Sequence, residues 1–264
     1  MTSSKSFHRH ALYERAVQSP AFTLRFVEQV YKRAFGTSPM SLREDFCGTA
    51  LVACDFVRSH PQRRALGVDF NDEVLRYGEE SHLDGLDDEE KCRIDLMQAD
   101  VRFAQAEAPF DFVDVVIAEN FSYNVFHTEE ELLQYFVFVH SNLQDEGMFI
   151  LDVMGGNKLQ LGAQKDQSER GDLQVVWEQK DFDPITHRAR FELHFALDGQ
   201  TWTSAFYYDW RLWTLPELKF LLEKAGFSDV DVYFEADGKK EGSYRVAKKS
   251  PPRDSFVAML TARR

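Results

Sequence analysis

Apolar residues near the start of the chain recur at helical spacing. Between residues 11 and 35 they fall at Leu12, Val17, Phe22, Leu24, Phe26, Val27, Val30, Tyr31 and Phe35, a pattern that predicts helix. Pro20 interrupts it, so two helices are expected to meet at Gln18-Ser19-Pro20, with Ser19 capping the second. Gly36-Thr37-Ser38-Pro39 closes the region. Short continuous apolar runs then alternate with helical stretches. Strands are expected at residues 40–46, 64–68, 92–98, 112–118 and 148–153, and helices at 49–59, 71–83 and 129–143, with a charged loop over 84–90. Apolar strands separated by helices predict a parallel sheet covered on both faces.

The rhythm changes after residue 170. Stretches 173–182, 189–197 and 201–208 are rich in Val, Phe, Trp and Tyr, and Asp183-Pro184 and Asp198-Gly199 separate them. They predict an insertion of about three antiparallel strands. A helix is expected at 215–225, with Thr214 as cap, Pro216 in its first turn and Gly226 just beyond its end. Stretches 230–234 and 256–261 complete the strands. The expected fold is α/β: a doubly wound, Rossmann-like, seven-stranded, mostly parallel sheet with a small inserted antiparallel sheet.

Composition narrows what such a fold can do. The 264 residues are 44% hydrophobic and 14% aromatic, with 23 Phe, enough for a sizeable core and against general disorder. A formal charge of −13 argues against loose electrostatic binding to nucleic acid or to an anionic membrane. Cys47, Cys54 and Cys92 are odd in number and lack metal-type spacing, and the eight histidines show no ligand spacing. Reduced thiols and no metal are therefore expected. No apolar stretch nears the ~20 residues that span a bilayer, and the first residues form no secretory signal. A soluble, cytoplasmic protein is expected.

Ligands of open parallel sheets bind beyond the carboxyl ends of the strands, where strand order reverses. The residues at those ends suit an adenosine ligand. A small Cys47-Gly48-Thr49 turn lets backbone approach it. Asp69, 21 positions after Gly48, can accept ribose hydroxyls. Asp100 can accept from the adenine amine while the Val101 amide faces a ring nitrogen. Taken singly, each has a plainer reading: an ordinary strand–helix turn, a helix cap, a common acid-Val pair.

The segments LREDFCGTA (42–50), ALGVDF (65–70), LMQADV (96–101) and FVDVVIAENFSY (112–123) occur in the order and spacing of the class I S-adenosylmethionine-dependent methyltransferases, and the chain resembles that family. The resemblance covers residues 42–153 and resumes at 213–218 and 224–227. It implies S-adenosyl-L-methionine as cofactor, with S-adenosyl-L-homocysteine as product. Glu44 matches the first-motif acid, Cys47-Gly48-Thr49 its turn, Asp69 the ribose acid and Asp100 the adenine acid. Phe46, Phe70, Val101, Glu119, Asn120 and Phe121 join them as cofactor-binding candidates. Phe46 and Ala50 stand where the family motif has Gly, and Phe46 is expected to crowd the methionine end.

The resemblance also divides the chain. It implies an N-terminal helical lid at 1–39, a cofactor-binding α/β domain at 40–170 and 211–264, and a substrate roof at 171–210. Within the lid, Tyr13, Glu14 and Arg15 are candidates, Arg15 for the cofactor carboxylate. Asn120, Tyr123, Tyr208 and Arg211 are the catalytic candidates, Tyr208 and Arg211 belonging to an aromatic cluster at 206–213 that also reads as packing. Cys47 reads as a small residue beside the cofactor rather than a nucleophile. The expected partner is a small-molecule methyl acceptor, with neither membrane nor nucleic acid, and a homodimer is left open. Two alternatives stand beside it: an RNA or protein acceptor, favoured only by the basic stretch 239–249, and a non-catalytic binding protein of the same fold.

Overall fold

The computed structural model describes residues 8–107, 109–235 and 244–264. The first two helices are α1 (Arg9–Val17) and α2 (Pro20–Phe35), broken where Pro20 begins the second. Ser19 occupies the N-cap position, but its side chain makes no capping bond; its carbonyl accepts from the amides of Phe22 and Thr23 instead. Gly36 ends α2 in the left-handed conformation at φ 77°.

Five strands then alternate with helices: β1 (Ser41–Asp45), α3 (Leu51–Arg58), β2 (Arg64–Asp69), α4 (Asp72–Gly78), α5 (Asp88–Lys91), β3 (Ile94–Gln98), β4 (Val113–Ala118), α6 (Glu129–Ser141) and β5 (Leu143–Gly155). The helix expected over 71–83 is α4 followed by a π-helical turn at Glu79–Leu83, and α5 forms in the charged loop through an Asp87–Glu90 capping box. Leu143 leaves the helical run because it pairs with Val113 as the start of β5.

The inserted sheet has four strands, one more than the pattern predicts: β6 (Gln164–Arg170), β7 (Leu173–Asp183), β8 (Arg188–Leu197) and β9 (Gln200–Arg211), in sequential antiparallel order. β6 reads QKDQSER and is almost wholly exposed, so no apolar alternation marks it; its pairing with β7 alone makes it a strand. The chain returns through α7 (Leu215–Lys224), capped by Thr214, to β10 (Ser228–Glu235), β11 (Tyr244–Val246) and β12 (Phe256–Arg263).

The large sheet has eight strands in the order β11-β10-β12-β5-β4-β1-β2-β3. β1 to β5 pair in parallel, while β12, β10 and β11 add antiparallel at one edge. The three-residue β11 is the strand beyond the expected seven. Order reverses at β1, which has β2 on one side and β4 on the other, so the crevice lies over the carboxyl ends of β1 and β4. Residues 239–243 of the basic stretch lie outside the described residues, and no helix of the described residues is long and apolar enough to cross a membrane.

One core packs α6 and α7 against one face of the sheet, and a second packs α2 and α3 against the other. Leu12 of α1 is fully buried among Leu173, Leu193, Phe195 and Leu197 of the inserted sheet. α1 is thereby held over the carboxyl edge from above.

Gly78 brings α4 against the turn that follows β1. A Cβ there would lie 2.4 Å from the Thr49 carbonyl oxygen and 2.8 Å from its carbon, both backbone atoms that cannot swing away. Gly78→Ala is expected to cost about 1–3 kcal/mol in chemical denaturation. Gly85→Ala, whose Cβ would meet only ordinary contacts from 3.5 Å outward, is the control and costs less.

Candidate functional site

The turn after β1 is built from left-handed residues. Phe46, Gly48 and Ala50 have φ of 57°, 55° and 55°. Two of the three are not glycine, and each such residue costs roughly 1–2 kcal/mol in this region. The Phe46 ring packs against Tyr135 and Phe126, with centroids 5.7 and 6.0 Å away, so it joins the core on the α6 side and its packing holds the strained backbone. The crowding expected of Phe46 is thus directed into the core. The Cys47 amide donates to the Val68 carbonyl, tying the turn to β2. Its thiol is buried, and burial pushes it well above the usual range, so it is no nucleophile.

Asp69 closes this loop from the end of β2. Its Oδ2 accepts the Gly48 amide at 3.0 Å and its Oδ1 the Asn71 amide at 2.9 Å, while burial raises its pKa. The Phe70 backbone adds a third hydrogen bond to this carboxyl group. The Thr49 hydroxyl donates to Glu14 Oε1 at 2.6 Å, and His82 Nε2 lies 2.6 Å from the same oxygen. Glu14, rather than Arg15, is the α1 residue that reaches the turn. Arg15 pairs instead with Asp172, at the tip of the β6–β7 hairpin, which removes it from the candidate site.

Asp100 follows β3, and Arg102 grips both of its oxygens, with Nη2 to Oδ2 at 2.7 Å and Nε to Oδ1 at 3.1 Å. This guanidinium holds the carboxyl below its ordinary pKa. Arg102 was not among the candidates, although its two-residue offset from Asp100 was legible. Phe70 stands out from the carboxyl edge with 73% of its surface exposed, whereas Val101 is buried.

Three carboxylates converge at the ends of β1, β4 and β5. Glu44, Glu119 and Asp152 line a cavity of about 120 Å³, closed by Gln18, Ser19 and Thr23 from the α1–α2 junction. Glu44 Oε2 accepts the Ala53 amide at 2.9 Å, and Glu119 Oε2 accepts the Thr23 hydroxyl at 2.7 Å. Asp152 accepts the amides of Asn120 and Phe121 at 2.9 and 2.8 Å. Those two residues are consecutive left-handed ones, at φ 58° and 59°, and this backbone aims both amides at one carboxylate. Burial first, and for Glu44 and Asp152 the neighbouring Glu119, pushes the pKa values up: Glu44 to about 8, Glu119 to about 7 and Asp152 to about 8. Among the described lining residues there is no Lys, Arg or His, and the buried Gln18 Oε1 has no partner. The cavity is rich in acceptors and poor in charge compensation. Asp152 escaped the sequence reading, although it lies near the carboxyl end of the fifth strand, three residues before Gly155.

The remaining catalytic candidates disperse. Tyr123 is fully buried and donates to the Asp152 carbonyl at 2.9 Å, so it supports the site from within the core. Arg211 pairs with Glu217 at 3.1 Å and lies over the Trp213 ring at 3.5 Å, a structural role in place of an anion-attracting one. Tyr208 shares a hydroxyl hydrogen bond with Tyr13 of α1 and meets the Trp210 ring in a tilted arrangement with centroids 4.4 Å apart, joining α1 to the inserted sheet. Asn120 remains at the cavity wall. On the inserted sheet, oxygens of Glu178 and Glu192 and a nitrogen of His194 fall within 4.8 Å. Lys165 and Lys180 both pair with Glu178, and His194 Nδ1 accepts the Ser204 amide, which leaves the proton on Nε2 and no lone pair there for a metal.

No protein-family model and no curated protein matches the chain. Solved structures do match it in fold. An S-adenosylmethionine-dependent methyltransferase from Clostridium acetobutylicum ATCC 824 superposes with a TM-score of 0.70 at 16% identity, covering 96% of each chain. The sugar N-methyltransferase KedS8 from Streptoalloteichus sp ATCC 53650 gives 0.65 at 17% identity, covering 100% of this chain and 95% of that one. S-adenosylmethionine-bound CalS10, an amino pentose methyltransferase from Micromonospora echinaspora, gives 0.66 at 14% identity and 99% of each. The fold is that of the class I S-adenosylmethionine-dependent methyltransferases.

The raised carboxyls make stability depend on pH with a definite sign. Glu44 ionises near 8 when folded and near 4.5 when unfolded, so between about pH 5 and 8 the native chain holds a proton the unfolded chain has lost. Its contribution therefore falls as pH rises through that window. Glu44→Gln keeps an acceptor for the Ala53 amide and removes the charge. Thermal unfolding of the ligand-free variant is expected to match the wild type near pH 5 and to exceed it at pH 8 by at least about 3 °C, the shift that ~1 kcal/mol gives a chain of this size.

Proposed function

We propose that this chain is a cytoplasmic S-adenosylmethionine-dependent methyltransferase that methylates an amine nitrogen of a small molecule. The observation that carries the reading is the cavity at the ends of β1, β4 and β5. Three carboxylates and an unpaired amide oxygen face it, and no side-chain cation among the described residues balances them. Its complement is a small group that donates hydrogen bonds and bears positive charge, which is an ammonium. The fold neighbours agree in kind: KedS8 is a sugar N-methyltransferase and CalS10 an amino pentose methyltransferase bound to S-adenosylmethionine.

The residues at the carboxyl edge fit this cofactor. Asp69 stands at the carboxyl end of β2 as an acceptor for a ribose hydroxyl, and the Gly48 backbone leaves room beside it. Asp100 is held on both oxygens by the Arg102 guanidinium and backbone amide, so the adenine amine would have to share an oxygen with Arg102. The exposed Phe70 ring offers an apolar face at the same edge. Glu44 and the turn at 46–49 belong to the methionine end. When bound, the cofactor supplies an electrophilic methyl group on a sulfonium.

The chain's own residues do the rest. Glu119, with a pKa of about 7, takes a proton from the ammonium form of the acceptor and leaves a nitrogen lone pair aimed at the methyl carbon. The Thr23 hydroxyl fixes which Glu119 oxygen remains for that proton. Glu44 and Asp152 stabilise the positive charge that returns to nitrogen once it is methylated. S-adenosylhomocysteine is the second product. The helices α1 and α2 act as the lid and the inserted sheet as the roof, excluding water and holding the reactants in line.

Isothermal titration is expected to show S-adenosylmethionine binding, weakened about tenfold or more by Asp69→Ala; no binding by the wild type overturns the cofactor assignment. With a panel of amino sugars and simple amines, S-adenosylhomocysteine formation is expected to identify acceptors, while hydroxyl-only analogues stay inert. For an accepted amine, kcat/KM should rise with pH to a plateau above about 7, the deprotonated base being the active form. Glu119→Gln should cut it by about 10²–10⁴. An unchanged profile in that variant rules Glu119 out as the base.

A further inference from the structure

We infer that Arg43, sealed inside the central strand, is a positioning residue for the nucleoside end of the site, acting through the segment that carries Asp100. The inference rests on the cofactor reading above and concerns how that site is held. Arg43 is 1% exposed, the largest of the fully buried side chains, and stands in β1 between β2 and β4. A parallel-sheet interior ordinarily holds Val, Ile or Leu at such a position.

Its guanidinium is accounted for at each nitrogen. Nε donates to Asp45 Oδ1 at 2.7 Å, Nη1 to the Ala104 carbonyl at 3.1 Å and Nη2 to the Val101 carbonyl at 3.2 Å. The Phe138 ring of α6 lies 5.3 Å from its centre. Both carbonyls belong to the irregular segment after β3, which no sheet or helix ladder holds. Arg43 supplies that segment with fixed partners, and Asp100 lies within it, one residue before Val101.

A second chain of contacts reaches the same place. Tyr135 of α6 donates to Asp45 Oδ2 at 2.9 Å, so Asp45 is pinned from both sides. The Tyr135 ring touches Phe46 and Phe126, and Phe126 lies under the Arg102 guanidinium at 5.2 Å. Arg102 in turn grips Asp100. The buried pair thus holds the strained turn after β1 and the Asp100 segment in one register. Stability alone is a weak reason for the pair, because well-packed apolar residues usually serve a core at least as well as a buried ion pair. Placement of two ligand-facing segments against each other is a reason that apolar residues could not meet.

The test compares wild type, Arg43→Lys, Tyr135→Phe, Asp100→Asn and the Arg43→Lys/Asp100→Asn double variant. S-adenosylhomocysteine and 5′-deoxy-5′-methylthioadenosine are titrated at a temperature where circular dichroism shows each variant folded, and melting temperatures are recorded alongside. Arg43→Lys and Tyr135→Phe are expected to weaken both ligands by about tenfold, since both carry the adenosine group. In the Asp100→Asn background the Arg43 change should have little further effect, the signature of coupled residues. Lowered melting temperatures with unchanged dissociation constants in the folded variants would overturn the inference and leave Arg43 a residue of the core. Independent, additive losses at positions 43 and 100 would overturn it as well. If Arg43→Lys does not fold, Tyr135→Phe, which loses one hydroxyl, decides alone: unchanged affinity sinks the proposal. Failure of the wild type to bind either ligand would instead bring down the cofactor reading itself.

Discussion

Acids at the carboxyl edge of this sheet are held by backbone amides, and the geometry of the site follows from that. Asp69 takes the amides of Gly48 and Asn71, Asp152 those of Asn120 and Phe121, and Glu44 that of Ala53. A backbone amide is a fixed, uncharged donor. It positions a carboxyl group without supplying a counter-charge. The amides of Asn71 and Ala53 come from an extended residue and a helix start, whereas those of Gly48, Asn120 and Phe121 are aimed by left-handed backbone, which also occurs at Phe46 and Ala50 on either side of Gly48.

That backbone has a cost where the residue is not glycine, and packing offsets it. Phe46 is anchored by Tyr135 and Phe126, and Phe121 meets Trp210 of the inserted sheet at 6.3 Å. The strained turns are therefore secured from opposite sides, one by the core beneath α6 and the other by the inserted sheet. A non-glycine residue at position 46 does not dismantle the turn, because its ring packs into the core and contributes apolar burial there. The insertion and the first helix join in the same way, through Leu12 and the Tyr13–Tyr208 pair.

The sheet was legible because strands such as β4 and the second half of β5 are continuously apolar, a signal that does not depend on distant partners. The central β1 (SLRED), by contrast, is buried with three charged residues and was placed by its position in the alternation. β6 carried no such signal, since both of its faces meet solvent and only hydrogen bonds to β7 define it. Within the site the limit was different. Glu44, Asp69 and Glu119 could be placed at strand ends from the order of strands alone, and Asp152 could have been placed by the same logic. What could not be read was the partner of each long side chain. Arg15, Arg211 and Tyr123 look available in one dimension, yet Asp172, Glu217 and the Asp152 carbonyl take them, at sequence separations that no local pattern encodes. Arg43 shows the converse, since its neighbours in sequence suggest an exposed charge while its partners lie 58 and 61 residues away.

The formal charge of −13 also takes on a different meaning. It counts Glu44, Glu119 and Asp152 as ionised, whereas burial pushes them to about 8, 7 and 8. Near neutral pH the ligand-free cavity therefore holds much of its own compensation as bound protons. A cation bound there, as the proposed function requires, would displace those protons, and the cavity would acquire its full negative charge only when there is positive charge to meet. Three carboxylates that would repel one another if permanently ionised can thus share a small cavity. Under the proposed function, selectivity would fall on the charge of the ligand rather than on its shape, because an uncharged group of the same size would leave the protons where they are.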